Sequence, residues 1–187
     1  MIPTDDGDME VGKRMYNWVW YVNASEGSKE LHDIMTDVNG QLHQGTVPCG
    51  LLRSEVWDEQ RAKSISQMPP CIAHLLEKTE KPFVSKIYDI TSSKGVFHDG
   101  KVFLVGDALA TFRPHIGMST NQAAYHCALL RQVLEKKISH EAWQKTVLRY
   151  AKVKSQLSIV IGVFGTGSRF AIVMSILKYV LVLIGLY

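Results

Sequence analysis

The stretch that decides the fold is Lys101–Leu130, KVFLVGDALATFRPHIGMSTNQAAYHCALL. It opens with Val102 to Val105, four consecutive apolar residues that favour β structure, directly after Asp99-Gly100, a dipeptide suited to a tight hairpin turn. The run predicts a strand buried on both faces. Gly106 then permits a sharp turn or a close approach of the backbone. Asp107 sets a carboxylate at the strand's carboxyl end, where open α/β sheets hold their ligands. Pro114 and Gly117 bracket a second turn. From about Met118 the spacing of Ala123, Ala124, Cys127, Leu130 and Leu134 marks an apolar helical face. The first turn of such a helix carries unpaired N–H groups, which point at whatever lies beside His115 to Ser119. Spacing alone leaves two readings open: a site for an anionic or polar ligand, or a plain strand-loop-helix connection in which Asp107 is a turn residue.

Working outward, Tyr16 to Val22 alternates aromatic and aliphatic side chains and reads as a strand, with Trp18, Trp20 and Val22 on one face. Its tryptophans can line a pocket or simply cover a sheet. Asn23 to Gln44 is polar and contains glycine, which predicts loop. Ser54 is an N-cap candidate for a helix over Glu55 to Ile65, with Glu55, Asp58 and Glu59 favourable near its positive end. Pro69-Pro70 ends it and opens a second helix, Cys71 to Glu80, before Pro82. Phe83 to Thr91 reads as a strand that leads into the Val96 to Val105 hairpin. Ser139 caps a basic helix over His140 to Ser155, and Leu157 to Tyr187 reads as helix with a break around Gly162 to Gly167, or with a close helix contact there.

The string GDALATFRPHIGMSTNQAAYHCALL resembles the second flavin-contacting motif of the FAD-dependent aromatic hydroxylases, the class A flavoprotein monooxygenases. That motif runs Gly-Asp-Ala-Ala-His, then Pro-x-x-Gly, then Asn and a helix; Gly106, Asp107, Ala108, Pro114, Gly117 and Asn121 fall on it. Arg113-Pro114-His115, with MYNWVWYVN at Met15–Asn23 and EKTEKPFVSKIYDI at Glu77–Ile90, is similar to the 2,6-dihydroxypyridine 3-monooxygenase branch. The likeness covers roughly residues 2 to 135. It departs at Ala110, where the common pattern has His, and at Ser119, where it often has Gly.

The resemblance implies an α+β chain with a partial aromatic-hydroxylase fold: substrate-domain strands over residues 1–100, the flavin strand and helix over 101–135, and C-terminal helices with an apolar tail over 136–187. It implies that Gly106, Asp107, Pro114, Gly117, Met118 and Asn121 contact FAD. Asp107 would bond the ribitol hydroxyls, and the turn at Pro114 to Met118 would lie against the flavin ring. NAD(P)H is the family's reductant. Family members begin with a βαβ unit carrying Gly-x-Gly-x-x-Gly, which cradles the pyrophosphate; no such string occurs here, and Gly162, Gly165 and Gly167 do not match it. The chain is therefore expected to be a C-terminal half or a shortened relative, lacking the Rossmann unit.

Composition bounds the rest. One domain is expected for 187 residues that are 46% hydrophobic and 21% charged. A net charge of +3 with no basic, aromatic-interleaved stripe excludes nucleic acid as a partner. Cys49, Cys71 and Cys127 are widely separated and predict buried, reduced thiols in a cytoplasmic protein. The histidines lack ligand spacing, so no metal site is expected. No signal peptide is expected, because Met1 to Glu10 is acidic and has no apolar core. Beyond Glu141 the chain has no acidic residue but carries Lys145, Arg149, Lys152, Lys154, Arg169 and Lys178. Phe170 to Tyr187 holds one charge in a run near the ~18-residue lower limit for a membrane span, which fits either a membrane-associated tail or a helix packed on the rest of the protein.

Three functions fit these observations. The first is part of an FAD-dependent monooxygenase that hydroxylates an aromatic or polyketide-like small molecule, with Trp18 and Trp20 against the substrate and with His115 and Arg113 acting on it. The second is a cofactor-free cyclase, isomerase or pericyclase that keeps the pocket, with His115 or Arg113 polarising the substrate. The third is an inactive or membrane-tethered fragment, partnered by an N-terminal half or by a second copy of itself.

Overall fold

Serine hydroxyls cap the helices that follow Ser28, Ser139 and Ser168, whereas the cap expected at Ser54 does not form: that helix begins at Ser54 itself, after Arg53, with no side-chain cap. In a computed structural model that describes residues 2–4 and 6–187, α1 (Lys29–Met35) starts at Ser28, whose hydroxyl accepts from the Leu31 N–H. Next come β1 (Thr46–Val47), α2 (Ser54–Ile65) and α3 (Pro70–Glu77). Four short strands follow: β2 (Val84–Ser85), β3 (Ile90–Thr91), β4 (Val96–Phe97) and β5 (Val102–Phe103). A 3₁₀ turn (Gly106–Ala108), β6 (Ala110–Thr111) and a second 3₁₀ turn (Pro114–Ile116) lead into α4 (Ser119–Leu134). The chain closes with α5 (His140–Thr166) and α6 (Arg169–Leu183), capped by the hydroxyls of Ser139 and Ser168.

The strands form three separate two-stranded antiparallel sheets, β1 with β2, β3 with β6, and β4 with β5. The Asp99-Gly100 hairpin is present: Val96 opposes Phe103, Phe97 opposes Val102, and His98, Asp99 and Gly100 all have positive φ. Around these sheets sit two apolar clusters. Ile34, Met35, Val47 and Val56 join α1, β1 and α2. Leu109, Val133, Trp143 and Val147 join the flavin-motif segment to α4 and α5, and the adjoining Ala110, Phe112 and Ala151 extend that contact along α5.

Several expectations are corrected. Val102 to Val105 is not a doubly buried strand: β5 pairs on one side only, and Val102 is exposed. Phe83 to Thr91 splits into β2 and β3 because its two ends pair with different partners, β1 and β6. Tyr16 to Val22, expected to be a strand, pairs with no strand among the described residues. Side chains anchor it instead: Trp18 Nε1 donates to Thr79 Oγ1 at 3.2 Å, Trp20 packs edge-on against Trp57, and Asn23 Nδ2 donates to the Thr166 carbonyl at 2.6 Å.

The segment expected to be loop contains α1, whose Leu31, Ile34 and Met35 follow helical spacing after the Ser28 cap. The break expected around Gly162 to Gly167 is present at the far end of that range: α5 is continuous to Thr166, and Gly167 and Ser168 separate it from α6. Cys49, Cys71 and Cys127 are free and exposed rather than buried. The apolar tail forms a 15-residue helix, and no helix of the described residues is long and apolar enough to cross a membrane, so the spanning reading of residues 170–187 fails on length.

Candidate functional site

Side chains from α4 and α5 pin the two 3₁₀ turns. The Gly106 N–H donates to Nδ1 of His126 at 3.1 Å, and Gln122 Nε2 donates to the Ala110 carbonyl at 2.7 Å. Gln122 and His126 lie one helical turn apart, so both face the same loop. Both are fully buried. The inward face of α4 is therefore centred on Gln122, His126 and Val133 and matches the predicted one only in part: Ala123 and Leu130 pack inward, whereas Ala124, Cys127 and Leu134 are exposed. The loop's backbone demands polar partners, and that demand outweighs hydrophobic spacing. Burial also lowers the His126 pKa below its ordinary 6.5. Because Nδ1 accepts from Gly106, the neutral tautomer carries its proton on Nε2.

Gly106 sits at φ +56°, and a Cβ there would meet the Ala123 methyl at 3.1 Å, so a close approach of turn and helix needs glycine at this position. Asp107 and Asn121 are exposed beside it. At the second turn Gly117 adopts φ +58°. No side chain caps α4, whose N-cap position is Met118. The Met118 side chain itself packs on the Ala110, Phe112 and Ala151 cluster. The helix thus presents uncapped N–H groups and the positive end of its dipole next to Gly117 and Asp107.

His115 projects from the second turn. The Ser158 hydroxyl fixes this turn to α5 by donating to the Arg113 carbonyl at 2.9 Å. The His115 ring stands edge-on to Tyr21 with centroids 4.5 Å apart, and it lies against the α5 backbone at Gly162, where a Cβ would come within 2.5 Å of the ring. Around these groups opens a cleft of about 440 Å³, lined among others by Val19, Trp20, Tyr21, Pro114, His115 and Ile161. Burial first, and the Arg113 charge second, lower the His115 pKa, which favours the neutral imidazole. The Arg113 guanidinium is committed to Asp89, with Nε and Nη2 at 3.3 and 3.2 Å from Oδ1.

Of the residues singled out from sequence, Trp20, Pro114 and His115 meet at the cleft. Gly106, Asp107, Gly117 and Asn121 gather at the α4 terminus, and Trp18 belongs to neither group. Tyr21, Gly162, Ser158 and His126 were missed as site residues. Glycine spacing announced the close contact at Gly162, whereas nothing in the sequence announced Ser158 or His126.

The family model described as FAD binding domain-like matches residues 1–89. The 2,6-dihydroxypyridine 3-monooxygenase of Paenarthrobacter nicotinovorans is 32% identical over 120 residues, which is 64% of this chain and 29% of that protein. The solved structure of 2,6-dihydroxypyridine-3-hydroxylase from Arthrobacter nicotinovorans superimposes with a TM-score of 0.62 at 28% identity, covering 74% of this chain and 37% of that one. Over the residues these matches cover, the chain is similar to FAD-dependent aromatic hydroxylases. It spans about a third of the length of the relatives it matches.

The residues present fit one end of the FAD that such hydroxylases use. The glycine-bearing turn, the exposed Asp107 carboxylate and the uncapped N–H groups of α4 suit hydroxyls and a ring that gains negative charge. Gly162, Gly165 and Gly167 form no pyrophosphate loop, because Gly162 and Gly165 lie within α5 and Gly167 at its end.

Proposed function

We propose that this chain forms the flavin-ring and substrate side of an FAD-dependent monooxygenase acting on an electron-rich aromatic or polyketide-like ring. The observation that carries the proposal is the turn at Pro114 to Gly117, which has uncapped helix N–H groups at its end and the His115 imidazole in an aromatic cleft. Gly106, Asp107, Gly117 and Asn121 would hold the ribityl chain and ring, and Met118 would set the start of α4 from its seat in the core. Bound FAD would supply the oxygen chemistry after reduction by NAD(P)H.

The protein's own part is positioning and proton handling. Trp20 and Tyr21 offer ring faces to a planar substrate. His115 Nε2 or Nδ1, favoured in the neutral form, accepts the proton of a ring hydroxyl and so raises the electron density of that ring. Arg113, held by Asp89, orients the turn and keeps a positive charge nearby that stabilises the resulting phenolate. Seating a substrate between Trp20, His115 and Ile161 displaces water from the cleft.

The test is flavin fluorescence quenching with the full chain. Riboflavin and FAD should bind with similar affinity, since the nucleotide half finds no partner, and Asp107→Ala should weaken both severalfold. Tight FAD binding with riboflavin left unbound would refute the assignment, as would binding indifferent to Asp107→Ala.

A further inference from the structure

Helix α6 buries one narrow edge against α5, at Ser175 and Val182, and leaves the opposite side bare. Phe170, Val173, Leu177, Val180 and Ile184 recur at spacings of three and four, which puts them on a single stripe facing away from α5. Each is between 44% and 76% exposed, and no charge interrupts the stripe. Over 15 residues it runs about 22 Å. A continuous apolar strip of this kind on a water-exposed helix implies a partner.

The charges beside the stripe indicate what the partner is. Every ionisable side chain from Ala142 to Tyr187, apart from tyrosines, is cationic: Lys145, Arg149, Lys152, Lys154, Arg169 and Lys178. Several gather at the C-terminal end of α6. Lys178 and Lys152 lie 4.6 and 5.4 Å from the Tyr187 ring centroid, and Arg149 Nη2 donates to the Leu183 carbonyl at 3.0 Å. Two copies paired in parallel through α6 would bring these like charges together. An anionic surface attracts all of them while it takes up the stripe.

We propose that α6 lies in the plane of an anionic phospholipid surface, with the Phe170 to Ile184 stripe set into the headgroup and acyl boundary and Lys178, Lys152 and Arg149 at the headgroups. The helix is too short to span, and it does not need to.

Co-sedimentation of the full chain with phosphatidylcholine vesicles, with and without phosphatidylglycerol, tests this. Binding should be about tenfold tighter to the anionic vesicles and should weaken with salt. Leu177→Asp, on the exposed stripe, should reduce it about tenfold with an unchanged circular dichroism spectrum, and Lys178→Glu should remove most of the anionic preference. The proposal is overturned by any of three results: no sedimentation with either vesicle, equal binding by Leu177→Asp, or a concentration-dependent dimer that Leu177→Asp abolishes and that replaces vesicle binding.

Discussion

Gly162→Ala and Gly165→Ala differ by three residues on α5 and give a direct reading of how tightly the His115 turn is held. Both remove a glycine from a helix, which by itself gains roughly 0.5–1 kcal/mol, less near a helix end. At Gly165 no atom lies within 4 Å of the added methyl, so only that gain remains. At Gly162 the methyl would lie 2.5 Å from Cδ2 and Nε2 of His115. Ordinary carbon contacts begin near 3.5 Å, so the ring must withdraw by about 1 Å. It cannot withdraw freely, since Tyr21 stands edge-on to it and Ser158 ties the Arg113 carbonyl to α5. Overpacking of this kind costs about 1–3 kcal/mol. The propensity gain largely cancels between the two variants, so their melting temperatures should differ by roughly 2–12 °C, with Gly162→Ala the lower. Thermal melts followed by circular dichroism, with urea midpoints as a check, measure this. Equal melting temperatures, or a more stable Gly162→Ala, would refute the view that α5 packs its bare backbone on His115.

Other outcomes follow from the same contacts. Trp143→Ala removes a fully buried indole that packs on Phe103 and donates to the His126 carbonyl at 3.3 Å; urea denaturation should show a loss of about 3–5 kcal/mol. Ser139→Ala deletes the α5 cap and should cost about 1 kcal/mol in the same assay. His126 and His115 both have folded pKa values below 6.5, so the unfolded chain binds more protons as pH falls past that value. Stability should therefore be full above about pH 6.5 and decline below it, and the pH slope of the melting temperature should be shallower in His126→Gln.

The local chemistry of the chain was open to reading without coordinates. Serine before an apolar stripe gives the starts of α1, α5 and α6, although α1 went unread because its polar neighbours looked like loop. Asp99-Gly100 gives the hairpin, and Gly106 and Gly117 give two turns that require positive φ. What could not be read is which partner each segment meets. Val102 to Val105 looks like a buried strand because its residues are apolar, yet burial depends on neighbours that β5 does not have. The face of α4 was misassigned because hydrophobic spacing is blind to a loop whose Gly106 N–H and Ala110 carbonyl need His126 and Gln122. The motif Arg113-Pro114-His115 is visible as a string, but the cleft that favours the neutral His115 imidazole is built from Tyr21 and Gly162, which are distant in the chain.

The sequence by itself determined most of the helices, the turns and the likeness to flavin hydroxylases, because caps, glycines and motif spacing act over a few residues. Only the tertiary structure decided that the flavin-motif turn sets His115 in an aromatic cleft, that α5 runs unbroken past it, and that α6 leaves an apolar side bare. Those outcomes are set by contacts between residues far apart in the chain, where packing and backbone hydrogen bonding outweigh local preference.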